Sequence, residues 1–301
     1  MKAINKRKFN YGKFLTAVLL FAVTIMISAC TQLFFQPNQI NYLVDIEVPF
    51  PIEEVGTTTA DGQQLTHWLL KPEKPLGIVF FLHGNAQNIS AHIRSVAWLV
   101  KPGYFVYMFE YRGYITKLKP SLEKTISDVQ LALDEVIEKY PELPIYVFGQ
   151  SLGGSIAIAS ISQFKEKEKL CALITEAAFT SYSDIAKEKF DEIWFPQWMT
   201  VPLSRLFNSD YDAKVHIANI APLPILVMHS SDDKIVPIQH GESLFKAAIP
   251  PKSFIRSEGI HISSLGKPLY RTKFLQFIQE HQCKPLISRN AVSISHVEKK
   301  P

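Results

Sequence analysis

At 301 residues, with 47% hydrophobic and 20% charged residues, the chain has the composition of a globular protein and is long enough for one α/β domain or two small ones. The formal charge of +4 suggests an acidic partner until the basic residues are placed. Lys2, Lys6, Arg7, Lys8 and Lys13 all precede the first acid, and the remainder carries 27 basic against 28 acidic residues. A near-neutral body lacks the electrostatic footprint of a nucleic-acid binder.

The basic N-terminus runs into the apolar stretch Phe14 to Ile27, shorter than the ~20 residues of a membrane span, which predicts an export signal over residues 1 to 29. Its end, Ile27-Ser28-Ala29-Cys30, resembles a bacterial lipobox. That resemblance implies that Cys30 is lipidated and becomes the new N-terminus; an uncleaved anchor helix is the alternative. Thr31, rather than Asp, follows the cysteine, which implies an outer-membrane lipoprotein whose body faces the periplasm. Cys171 and Cys283 remain. One lies in a predicted core strand and the other after the last predicted helix, so two unpaired thiols are expected, although an oxidising compartment permits a bridge.

Residues 30 to 51, with Pro37, Pro49 and Pro51, read as a tether. A hairpin follows, with strand-like alternation on either side of Asp61-Gly62. From Leu76 onward the pattern changes to continuous apolar runs separated by helical stretches, as buried parallel strands with crossovers require. Strands are expected at residues 77–82, 105–109, 145–148, 172–175, 225–228 and 253–256. Helices are expected at 89–100, 121–140, 152–164, 239–248 and 268–280. The clearest helix places Ile126, Val129, Leu133, Val136 and Ile137 on one face behind a Ser121 cap. Residues 179 to 220 break the alternation and read as a small helical lid. Its aromatic residues Trp194, Phe195, Trp198 and Phe207 either line an acyl pocket or bury the lid against the body. A single α/β domain thus spans residues 52 to 282, with residues 179 to 220 inserted in it, and residues 283 to 301 form a basic, poorly ordered tail.

The run Ile145 to Phe148 breaks into Gly149-Gln-Ser151-Leu-Gly153 and then into a small-residue helix, the strand-turn-helix context of a nucleophile elbow. A serine at so sharp a turn leaves no room for a Cβ two residues before or after it, which is why Gly149 and Gly153 stand there. Leu152 offers its backbone N–H at a helix start, where free donors and the dipole favour an oxyanion. The acid should follow a later strand; Asp233 is the candidate, with Asp232 as its turn neighbour and Glu176 or Asp184 as alternatives. Of His240, His261, His281 and His296, only His261 follows a predicted strand, and it is the candidate base. The loop His83-Gly84-Asn85-Ala86 supplies the second oxyanion donor, the N–H of Asn85. Gly84 allows close approach and His83 makes a structural hydrogen bond.

With these motifs in order, the chain resembles the α/β-hydrolase superfamily, and within it the small-lid bud-emergence-like hydrolases related to the serine aminopeptidase and monoacylglycerol lipase groups. The matching stretches are His83 to Ala86, Tyr111-Arg-Gly-Tyr114, Gly149 to Gly154, Asp233 to Pro237 and His261. Such proteins usually carry Asp at the place of Glu110 and Gly at those of Ile115 and Ser230. The resemblance implies an α/β fold with a mostly parallel sheet, antiparallel leading strands and helices on both faces. It also implies a Ser151–His261–Asp233 triad that cleaves a carboxylic ester or thioester through an acyl-enzyme. An aminopeptidase or amidase is the alternative, with Asp191 and Glu192 as acids that could hold a peptide amine. A membrane-tethered binding protein without chemistry is the alternative of another class. The histidines lack ligand spacing and no glycine loop cradles phosphate, so neither metal nor cofactor is expected.

Overall fold

The computed structural model describes residues 34–44, 48–115, 118–192, 196–207 and 209–283. A short strand β1 (Gln36–Pro37) leads to the hairpin β2 (Ile52–Thr58) and β3 (Gln64–Leu70). Then come β4 (Gly77–Leu82), β5 (Ala86–Gln87), α1 (Ile89–Val96), β6 (Tyr104–Phe109), α2 (Leu122–Lys139), β7 (Ile145–Gln150), α3 (Leu152–Ser162) and β8 (Ala172–Glu176). The segment expected to form a lid follows as α4 (Tyr182–Glu192), α5 (Gln197–Ser204), a 3₁₀ turn at Arg205–Phe207 and α6 (Ala213–His216). The chain then completes β9 (Ile225–Ser230), α7 (Ile238–Ala247), β10 (Lys252–Ser257) and α8 (Pro268–Glu280).

Eight strands form one sheet in the order β10-β9-β8-β7-β4-β6-β3-β2, parallel except where β3 meets β2 and β6. The continuous apolar runs are explained by burial on both faces. In β4, for example, Phe80 and Leu82 face one core while Val79 and Phe81 face the other, and all four are inaccessible. Helix α2 starts where expected: Ser121 Oγ accepts the Lys124 N–H and Glu123 occupies the first turn. The helix expected over 89–100 ends at Val96 and continues only as a 3₁₀ turn over Ala97–Leu99. Helix α3 has no polar face because every residue from Leu152 to Ile161 is buried between the sheet and its neighbours.

Two expectations change. Cys171 and Cys283 are not free thiols; they form a disulfide with their Cα atoms 5.3 Å apart. Helix α8 packs on the second core face, so its end reaches the chain just before β8 despite a separation of 112 residues. The tether is the other: its described part is built into the body. β1 pairs in parallel with β5, and Phe35 is buried against Tyr111 and Tyr114. Three sequence features, the signal segment with Cys30, His296 and the tail beyond Cys283, lie outside the described residues, as do Trp194 and Phe195 of the lid. No helix among the described residues is long and apolar enough to cross a membrane.

Candidate active site

Ser151 stands between β7 and α3 with φ 53° and ψ −120°, a conformation that L-residues seldom adopt. The two glycines make room for it. A Cβ at Gly149 would collide with the Gly153 backbone, and one at Gly153 with the carbonyl of Leu82. The turn is also held from the side, because the Ser151 N–H donates to the Glu176 carbonyl at 2.8 Å. Among the described residues, the four non-glycine positions with positive φ are Gln87, Ser151, Ala177 and Ile262. They fall beside the Asn85 loop, on the elbow, after Glu176 and after His261, so the backbone strain is concentrated around one place.

That place is where the remote candidates meet. The Ser151 hydroxyl donates to His261 Nε2 at 2.9 Å, and His261 Nδ1–H donates to Asp233 Oδ2 at 2.7 Å. The other carboxylate oxygen, Asp233 Oδ1, accepts the N–H groups of Ile235 and Val236 at 2.9 and 3.0 Å. Burial pushes the Asp233 carboxyl upward, but the hydrogen bond and charge of His261, with the two backbone donors, hold it below the ordinary aspartate value. Asp232 takes a different part: its Oδ2 accepts the Gly259 N–H at 3.0 Å. Ser230, where glycine is usual, donates its hydroxyl to the Gly259 carbonyl. Together they fasten the Asp233 loop to the loop that carries His261.

The rival residues are engaged elsewhere. Glu176 is fully buried, which raises its carboxyl, and it accepts Gln150 Nε2–H at 2.7 Å and the Ser264 N–H at 2.9 Å. Asp184 accepts the Thr180 hydroxyl. His240 faces the Glu188 carboxylate of the lid, and His281 bonds the Phe277 carbonyl. His229 lies under the Asp233 loop, where its Nε2–H donates to the Val236 carbonyl at 2.8 Å and burial pushes its pKa down.

The Asn85 loop sits beside Ser151: a Cβ on Gly84 would lie 3.8 Å from Ser151 Cβ. His83 Nδ1–H donates to the Gly84 carbonyl at 2.7 Å, and since a trans peptide sets its C=O opposite its N–H, this bond fixes the direction of the Asn85 N–H. His83 Nε2 lies 3.0 Å from Glu110 Oε1, and Glu110 Oε2 accepts the Ile89 N–H at the start of α1. The residues that sequence reasoning left without a role are the ones that brace this loop. Tyr111 Oη–H donates to the His83 carbonyl at 2.8 Å and Tyr114 Oη–H to the Asn85 carbonyl at 2.6 Å. Gln36 of β1 gives its N–H to the same Asn85 carbonyl at 2.9 Å. The Tyr-Arg-Gly-Tyr spacing was the available signal for the tyrosines; nothing local marks Gln36. Between the tyrosines, Arg112 makes a buried two-pronged pair with Asp128 of α2 and reaches Asp61 in the hairpin turn.

The lid aromatics divide. Phe207 packs on Phe34 and Phe190 at 5.6 and 5.7 Å, so it buries the lid, whereas Trp198 is exposed. Asp191 and Glu192 pair with Lys187 and Lys189 of their own helix. No three His, Cys, Asp or Glu side chains cluster to hold a metal among the described residues.

Residues 73–211 match the family model described as serine aminopeptidase, S33. YfhR of Escherichia coli K12, named as uncharacterized, is 30% identical over 277 residues, which cover 88% of this chain and 93% of YfhR. The α/β-hydrolase domain-containing protein WAV2 of Arabidopsis thaliana is 30% identical over 246 residues, 76% of this chain and 79% of that protein. The chain belongs to the α/β-hydrolase superfamily. Another member, the lysophosphatidylserine lipase ABHD12 of Macaca fascicularis, is 32% identical over 190 residues, 59% of this chain and 46% of its own. The same hydrolase fold recurs in the Pyrococcus furiosus esterase Pf2001, with a TM-score of 0.68 at 20% identity over 83% of this chain and 99% of that one.

Proposed function

We propose that this hydrolase is a serine esterase working through an acyl-enzyme, and that Ser151, His261 and Asp233 are its catalytic residues. The observation that carries the reading is the unbroken hydrogen-bond chain from the Ser151 hydroxyl through His261 to Asp233, at a serine held in a strained turn. His261 takes the Ser151 proton as Oγ attacks the ester carbonyl, and the oxyanion forms against the N–H groups of Leu152 and Asn85. His261 then protonates the departing alcohol. Water attacks the acyl group by the reverse sequence, releasing the acid and restoring Ser151.

An ester is favoured over a peptide by two observations. The acids Asp191 and Glu192 are already paired with lysines, and ABHD12 carries the name of a lipase. The aminopeptidase reading has the description of the matching family model in its favour. We further propose that Cys30 is lipidated and anchors the enzyme to a membrane, with outer-membrane sorting; the Cys171–Cys283 disulfide supports an oxidising, exported location.

The test is labelling of the full chain with a fluorophosphonate, comparing wild type with Ser151→Ala and His261→Ala. Wild type should label and both variants should not. A folded wild type that stays unlabelled sinks the serine mechanism and favours a binding role. Rates on p-nitrophenyl acyl esters against aminoacyl p-nitroanilides then separate esterase from aminopeptidase.

A further inference from the structure

We infer that the carboxyl edge of the sheet, which carries the Ser151 site, docks on the bilayer that holds the chain's own N-terminus, and that the substrate is an amphiphilic acyl ester resident in that membrane. The inference rests on the esterase reading and on the proposed membrane anchor.

It begins with the arm. Phe34 packs edge-on against Tyr182 of the lid at 4.9 Å and against Phe207 at 5.6 Å. Phe35, next in the chain, is buried against Tyr111 and Tyr114, whose hydroxyls brace the Asn85 loop. Gln36 then bonds the Asn85 carbonyl directly. Read toward the N-terminus, the chain therefore leaves the body between the lid and the Asn85 loop, on the edge where Ser151 lies.

The anchor is close behind. Cys30 is four residues before Phe34, and the apolar run Phe14 to Ile27 ends seven residues before it. Fully extended, those spans reach at most about 14 Å and about 25 Å. Whether the anchor is an acylated Cys30 or the retained apolar run, the site-bearing edge is confined within that distance of the membrane. A headgroup layer is itself about 5–8 Å deep.

The edge also has the surface that a bilayer takes. Ile115, Ile235 and Ile260 project from loops after β6, β9 and β10, and Trp198, Val201 and Leu206 from the lid. Ile260 and Trp198 are 77% and 76% exposed. Trp198 and Val201 share a face of α5 by their spacing. Exposed large apolar side chains on segments that follow the carboxyl ends of the strands offer an interaction surface, and an exposed tryptophan suits the membrane interface. The membrane attachment proposed above for the N-terminus selects a bilayer as the occupant. An ester dissolved in that bilayer then meets the site at high effective concentration, without passing through water.

The test uses the full chain in vesicles of phosphatidylethanolamine and phosphatidylglycerol, with two esters of one leaving group: water-soluble p-nitrophenyl butyrate and bilayer-dissolved p-nitrophenyl stearate. Inserting twenty Gly/Ser residues between Gln32 and Leu33 adds a coil of about 25 Å root-mean-square length. The stearate rate should fall about tenfold while the butyrate rate stays within twofold. A second readout is independent of turnover: emission from Trp198, taken as wild type minus Trp198→Phe, should be quenched by at least half in vesicles of brominated phosphatidylcholine. If butyrate is cleaved but the insertion lowers the stearate rate less than twofold, or Trp198 is unquenched, as when a second copy covers it, the inference is overturned and the esterase reading stands. If wild type cleaves neither ester, the esterase reading falls and takes the inference with it.

Discussion

Replacing Asp233 by Asn tests the proposed triad with almost no change of shape. Asp233 Oδ1 is committed to two backbone donors, Ile235 and Val236, at 2.9 and 3.0 Å. An asparagine that turned its NH₂ toward them would lose both bonds, at a net cost of about 1 kcal/mol each, so the other orientation is favoured by a factor of about thirty. In that orientation Nδ2 faces His261 Nδ1 and donates to it. The imidazole then carries its proton on Nε2, the nitrogen that must accept the Ser151 proton, which lies 2.9 Å away. The expected result is a fall in kcat of about 10⁴, equivalent to about 5.5 kcal/mol, with KM little changed. The assay is steady-state hydrolysis of p-nitrophenyl butyrate, with the rate of fluorophosphonate labelling as a check on the nucleophile alone. Thermal unfolding should be nearly unaltered, since the Asn keeps both backbone bonds. A folded Asn variant with more than about a tenth of the wild-type kcat would refute the assignment of Asp233 as the group that orients His261.

Further outcomes follow from contacts away from the triad. Tyr114→Phe removes the 2.6 Å bond to the Asn85 carbonyl and keeps the one from the Gln36 N–H; kcat should fall about five- to tenfold at constant KM, by the worth of one hydrogen bond, and an unchanged kcat would show that the loop does not need the Tyr114 brace. Cys171→Ser opens a loop closed over 112 residues. Chain entropy assigns about 3–5 kcal/mol to such a bridge, or roughly 10 °C in Tm for a domain of this size. A reductant should lower the wild-type Tm equally and leave the variant unmoved; a shift under about 2 °C contradicts the bridge. Burial raises the Asp212 carboxyl to about 6, with its Oδ1 accepting the Tyr182 N–H. A carboxyl whose folded pKa is raised favours the fold while protonated, and that contribution is lost as pH rises through about 6. Asp212→Asn keeps the acceptor oxygen, so it should raise the Tm at about pH 8, with a gain that shrinks as pH falls below about 6. A gain independent of pH would assign the effect to something other than the charge.

Much of the site was legible because its signals are local. Gly149 and Gly153 are dictated by a turn five residues long, and the same turn requires the strand before it and the helix after it. The burial of both sheet faces writes itself into Ile78 to Leu82 and Ile145 to Phe148 as unbroken apolar runs. Which histidine could serve as base was narrowed by chain order, since His261 alone follows a predicted strand. Asp233 and Asp232 share one loop, and local pattern alone does not separate them. The structure separates them, because one carboxylate faces His261 and the other the Gly259 N–H.

The remaining features depend on distances between segments far apart in the chain, and no local pattern encodes them. Cys171 and Cys283 meet only because α8 packs across the sheet to the start of β8. Gln36 reaches Asn85 only because β1 pairs with β5, which makes part of the supposed tether a wall of the site. A few neighbouring residues suffice to set the strained elbow and the order of strands and helices along the chain, since each follows from their conformation or hydrophobicity. Tertiary structure alone decided which side chains meet and how they are braced, because hydrogen bonds of 2.6 to 2.9 Å between residues up to 110 positions apart exist only once the core has packed.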